Sequence, residues 1–162
     1  MSDKLSPVAD RVIGAVRDAW IPTIYETKIR PQRTRSVKLE LPEKENSPRI
    51  LHTLLGIELQ CGRIRTACPD LSTARYLRVF ARIGANSFAM PYDITKLSAI
   101  ADELESAWQM TILNVEHFTK EYSPQMRGRT RAAVVRQMRE EIKKIGAGAM
   151  MPLFNKPTRQ RK

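Results

Sequence analysis

GIELQCGRIRTAC, residues Gly56 to Cys68, is the stretch on which the fold turns. Apolar and polar letters alternate on both sides of Cys61-Gly62, which predicts two strands joined by a two-residue turn. In that register Gln60 faces Arg63, Leu59 faces Ile64 and Glu58 faces Arg65, so apolar meets apolar and acid meets base. Cross-strand pairs of these kinds contribute roughly 0.2–1 kcal/mol each. A slip of one residue would send every side chain to the opposite face.

Upstream, Ser47-Pro48 reads as a helix cap, and Ile50, Leu51, Leu54 and Leu55 as the apolar stripe of a short helix closed by Gly56. Val37, Leu39 and Leu41 alternate with Lys38 and Glu40, which predicts a half-buried strand ended by Pro42. Further back, Ser6-Pro7 opens a helix over 7–20 with Val8, Val12, Ala15 and Ala19 on its apolar face, ended near Pro22. Residues 23–34 read as a charged linker. Downstream, Asp70 caps a helix from Leu71 to Ile83 with Gly84 at its end, and SFAMPY (87–92) reads as a strand.

The order strand, helix, strand, strand, helix, strand over about 36–92 resembles the ferredoxin-like βαββαβ arrangement. The resemblance rests on element order and implies no function. The expected class is α+β, a single domain over 1–154, with an N-terminal helix, this core, a C-terminal antiparallel helical hairpin over 93–145, and a basic tail over 155–162.

The hairpin follows from two long periodic stretches. Ile94, Leu97, Ala101, Leu104, Trp108, Thr111, Val115 and Phe118 hold a heptad seam. A helix of about 26 residues would run roughly 39 Å, longer than a small sheet needs for cover. The second helix, from Pro124 to Ile145, offers Ala132, Val135, Met138, Ile142 and Ile145 to pack against it. The alternative is the same seam in a second copy of the chain. That reading is an assembly or protein–protein interaction factor forming a homodimer, with Trp108, Val115 and Phe118 as partner-binding anchors. After Ile145 the glycines end the helix, and Met150 to Phe154 read as an apolar hook.

The formal net charge of the 162 residues is +11, and it is uneven. Lys120–Lys162 carries twelve basic and three acidic residues, whereas Pro69–Thr119 carries four basic and six acidic. Such asymmetry points to a polyanionic partner, RNA or DNA. Arg75, Arg78 and Arg82 stand at i, i+3 and i+7, a basic stripe on one helix face, and arginine's planar fork suits phosphate. Arg127, Arg129 and Arg131 sit in the first turns of the last helix, where cations oppose the helix dipole. An anion docked there would relieve the mismatch. Arg136, Arg139 and Lys143 extend the basic surface, and Glu140 with Lys144 reads as a compensating i, i+4 pair. Arg33 and Arg35, with Arg30, flank Pro31 ahead of the first strand as an arm that could track a backbone. The predicted strands carry almost no aromatic residues for base stacking, so contact would be mainly to phosphates and tolerant of sequence.

No catalytic signature is present. There is no GxxxxGK[ST] and no GxGxxG. His52 and His117 lack a partner at nucleophile or metal spacing, and Glu103 and Glu105 point apart on their helix. Cys61 and Cys68 read as plain reduced thiols. The expectation is therefore a non-enzymatic nucleic-acid-binding protein without cofactor or metal. With no apolar run long enough for a bilayer and no signal-like opening, it is expected to have no membrane span and a cytoplasmic location.

Overall fold

A computed structural model describes residues 6–43 and 47–148. The hook at 150–154 and the tail at 155–162 lie outside them. The described residues form a mixed α+β structure with four long helices and two antiparallel sheets.

Helix α1 (Ser6–Val16) buries Val8, Val12 and Val16. It stops where Arg17 takes φ 51°, a left-handed conformation uncommon outside glycine. A 3₁₀ turn (Arg17–Ala19) leads to α2 (Ile21–Ile24), which continues as a π turn over Tyr25–Ile29. Two expectations fail here. Pro22 starts a helix rather than ending one, because the first turn needs no N–H from it. The supposed linker contributes to the core: Ile24, Tyr25 and Ile29 are each 1% exposed or less, as is Ile21 just before it.

Strand β1 (Thr34–Lys38) is followed by β2 (Arg49–Thr53), β3 (Gly56–Cys61), β4 (Ile64–Cys68), helix α3 (Leu71–Ile83) and β5 (Ser87–Pro91). Among the described residues β1 pairs only with β5, while β2, β3 and β4 form a meander. The expected short helix at 47–55 is therefore a strand. A four-residue apolar stripe fits either element, and the edge of β3 decides it by pairing Arg49 with Gln60 through to Thr53 with Gly56. Gly56, at φ 125°, opens β3 instead of closing a helix. The order is ββββαβ with two separate sheets, so the ferredoxin-like arrangement is not formed.

The hairpin exists, with its turn one residue further on and its cross-strand register shifted by two. Cys61 lies opposite Ile64, so Gly62-Arg63 makes the turn. Gly62 supplies φ 62° at the first central position, the order of a type II′ turn. A shift of two preserves face parity. Leu59 and Ile64 still share the inner face, where Leu59 is fully buried, and Glu58 and Arg65 still meet on the outer one, at 3.5 Å.

The core gathers around Phe80 and Phe88, whose rings stack at 4.2 Å, with Tyr76 and Tyr25 against them. Two tyrosine hydroxyls also close the edge of β5 that β1 leaves open. The Ala89 N–H donates to the Tyr25 hydroxyl at 2.8 Å, and the Tyr76 hydroxyl donates to the Ala89 carbonyl at 2.5 Å. The Tyr25 hydroxyl in turn donates to the Gly146 carbonyl at 2.7 Å, which ties the end of the last helix to the sheet. Burial pushes both tyrosines above their ordinary pKa.

Helix α4 (Ile94–Phe118), capped by Asp93, packs most extensively on α3 and next on α1. Helix α5 (Pro124–Ile145) starts at the Ser123 cap and turns back beside α4; Gly128, Val115 and Thr119 line one cleft there, and Val135 and Trp108 line another. Its buried positions are Thr130, Val134, Val135, Met138 and Ile142. The expected Ala132 is exposed, and Val134 fills its place. Among the described residues no helix is long and apolar enough to cross a membrane.

Tyr25→Phe leaves the Ala89 N–H and the Gly146 carbonyl without their shared partner. The variant is expected to lose about 1–3 kcal/mol of unfolding free energy, measured by denaturant titration.

Candidate functional site

The basic stripe of α3 divides between two environments. Asp102 and Glu105 of α4 face Arg75 and Arg78. Arg75 donates from Nε to both Glu105 oxygens at 3.2 Å and from Nη2 to Oε1 at 2.7 Å, and it also pairs with Asp102. Arg78 donates from Nη2 to the other Glu105 oxygen at 3.0 Å. Burial alone would raise the Glu105 carboxyl, but the hydrogen bonds and charges of the two arginines outweigh it and hold the group below its ordinary value. Glu105 hydrogen bonding, then Asp102, holds the Arg75 guanidinium above its own. These two arginines are occupied within the chain. The signal for it was available: Asp102 and Glu105 are spaced i, i+3 on one helix, as Arg75 and Arg78 are on the other.

Arg82, one turn further on, has no carboxylate partner among the described residues. It is half-buried. Burial, then the neighbouring charges of Arg78 and Arg131, hold its guanidinium below the ordinary arginine value. Arg82 and Arg131 line one cleft of about 290 Å³ between α3, α4 and α5, together with Trp108, Gln109, Ser47 and Val135. No acid lines it. A second cleft of about 450 Å³ along α4 and α5 is shared by Arg127, Arg131, Lys120 and Glu116.

Helix α5 sorts its own cations by the 3.6-residue period. Arg127 and Arg131 lie over the buried stripe and line the clefts. Arg129, Arg136 and Lys143 recur every seven residues on the outward face, and all three are exposed. Arg139 is a structural group: its Nε donates to the Ile83 carbonyl at 3.0 Å, at the end of α3. Gly84 permits this twice over, since φ is 85° there and a Cβ would sit 2.9 Å from that nitrogen. None of the seven α5 cations is ion-paired among the described residues, and the expected Glu140–Lys144 pair is not formed. The other acid, Glu141, turns inward and accepts from Trp20 Nε1 at 2.8 Å.

The remaining candidates disperse. Arg35 is exposed on β1, and the Arg33 guanidinium lies 5.3 Å from the Tyr92 ring centroid. Lys28, from the same basic cluster, pairs with Glu103 at 2.6 Å. Trp108 and Val115 are 5% and 3% exposed and Phe118 is half-buried, so the chain itself fills most of the heptad seam. Its ends are looser, with Ile94 half-exposed. His52 is exposed on β2 and His117 on α4. Both cysteines are free and buried on the inner face of the meander, and burial raises their thiols.

No known protein family, curated protein or solved structure was found to match this chain.

Glu105→Gln is expected to cost about 1–3 kcal/mol at neutral pH, because it weakens charge-assisted bonds from two half-buried arginines. The folded carboxyl titrates below its ordinary value of 4.5. Its contribution is therefore complete above that value and lost as pH falls through the lower folded pKa. Unfolding curves of wild type and variant should converge toward acid and stay apart at neutral pH.

Proposed function

We propose that this protein is a non-enzymatic, cytoplasmic nucleic-acid-binding accessory protein that meets the phosphates of RNA or DNA with helix α5 and the adjoining end of α3. The observation that carries this reading is the contrast between two sets of cations. Lys28, Arg65, Arg75 and Arg78 are matched to the protein's own carboxylates. The cations of α5 are exposed, and among the described residues they have no such match. A surface of that kind attracts a polyanion and gains from releasing the counterions that cover it.

The outward row of Arg129, Arg136 and Lys143 is the part best placed to follow a phosphate backbone. Seven residues of helix rise about 10.5 Å, so the row spans about 21 Å. Arg82 and Arg131 add a recessed contact beside it. The aromatic core residues Tyr25, Tyr76, Phe80 and Phe88 are all fully buried, which leaves them no face for stacking bases. Contact to phosphate and sugar, tolerant of sequence, is the mode this surface supports.

If about six phosphates are neutralised on duplex DNA, log K should fall against log salt with a slope near −5, from roughly 0.9 per phosphate. Replacing Arg129, Arg136 and Lys143 together with Gln should make the slope shallower by about 2–3 and weaken binding alike on unrelated sequences. Fluorescence anisotropy across a salt series measures both. An unchanged slope would remove the row from the interface.

A further inference from the structure

We infer that the cleft between α3, α4 and α5 is a phosphomonoester site, built to hold the terminal phosphate of a nucleic-acid strand rather than a passing diester. The inference rests on the nucleic-acid reading above only for the source of the phosphate. Two arginines from different helices, Arg82 and Arg131, line this cleft, and among the described residues no carboxylate lines it with them. The neighbouring acid, Glu105, is already bound to Arg75 and Arg78.

Charge decides between monoester and diester. A diester carries one negative charge, whereas a monoester near neutral pH carries roughly −1.5 to −2. Two guanidiniums without an ion-pair partner among the described residues match the second. Arginine's fork also gives several parallel N–H donors to one group of oxygens, and a monoester offers three free ones where a diester offers two. The Gln109 amide and the Ser47 hydroxyl add neutral donors on the same wall.

Size and lining point the same way. At about 290 Å³ the cleft lies at the small end of ligand pockets, room for a phosphate and part of one sugar. Trp108, Ile112, Val135 and Pro48 supply an apolar side for that sugar. The outward row of α5 is a separate surface of the same helix, so a strand could seat its end in the cleft and run its backbone along the row.

The test compares one short single-stranded oligonucleotide bearing a 5′-hydroxyl, a 5′-phosphate or a 3′-phosphate, with a free mononucleoside monophosphate and inorganic phosphate as competitors. The expected result is about tenfold or tighter binding of at least one phosphorylated end over the hydroxyl end, from one or two added charge-assisted bonds. Arg82→Gln and, independently, the exposed Arg131→Gln should each erase that preference. The triple replacement on the outward row should weaken all strands while the preference survives. Competition that reaches only the phosphorylated strand's advantage supports the site, and which competitor achieves it tells a strand end from a free nucleotide. Equal affinity for all three ends, with binding still salt-sensitive, overturns the inference and leaves the proposed function standing. Should no strand bind, a melting-temperature rise with inorganic phosphate in the wild type but not in Arg131→Gln would keep the site and remove the function. No rise would remove both.

Discussion

Two tyrosine hydroxyls hold this fold together at a point where hydrophobic burial alone would fail. A two-stranded sheet has two edges, and here the outer edge of β5 is sealed inside the protein, where an unpaired N–H or carbonyl is costly. Tyr25 and Tyr76 supply partners to both polar groups of Ala89. Their rings belong to the same aromatic cluster as Phe80 and Phe88, so each residue packs and hydrogen-bonds at once. The Tyr25 hydroxyl then donates its own hydrogen bond to the Gly146 carbonyl. One relay therefore fixes the sheet, the π turn that carries Tyr25 and the end of α5. The relay thereby anchors the C-terminal end of α5, the helix that carries the exposed cations.

Arg139 performs a related task at the other contact of α5. Its bond to the Ile83 carbonyl satisfies a helix end with a cation, where the dipole favours one. Together with Trp20 and Glu141 it pins the second half of the helix. A helix fastened on its inner side by polar bonds can keep its outer side cationic without losing its position. The same logic sorts the α3 stripe. Arg75 and Arg78 act as links to α4, and the charge that is left over begins at Arg82.

The readings that succeeded rested on local rules. Asp70 and Gly84 stand at the ends of α3 as expected, and the same chemistry places Asp93 and Ser123 at the starts of α4 and α5. The meander hairpin kept its two faces although its pairing register moved by two residues, because parity rather than exact register decides burial. The readings that failed concerned short or mixed segments. Residues 49–53 are too few for periodicity to separate helix from strand. Residues 21–29 hide a buried apolar set among charges and behind a proline whose role depends on which side of it the helix lies. The basic residues were all visible as letters, but whether each is spent on a carboxylate, a carbonyl or nothing depends on elements far away in the chain.

What the sequence determined by itself was the α+β class, the lengths of the long helices and the concentration of positive charge toward the C-terminal end. These follow from spacing and composition, which act over a few residues. Only the tertiary structure decided the split into two sheets, the burial of Tyr25, and the division of arginines into those neutralised internally and those facing a cleft or solvent. Each of those outcomes is a pairing between groups separated by tens of residues, and a linear pattern carries no information about which distant partner will be within 3 Å.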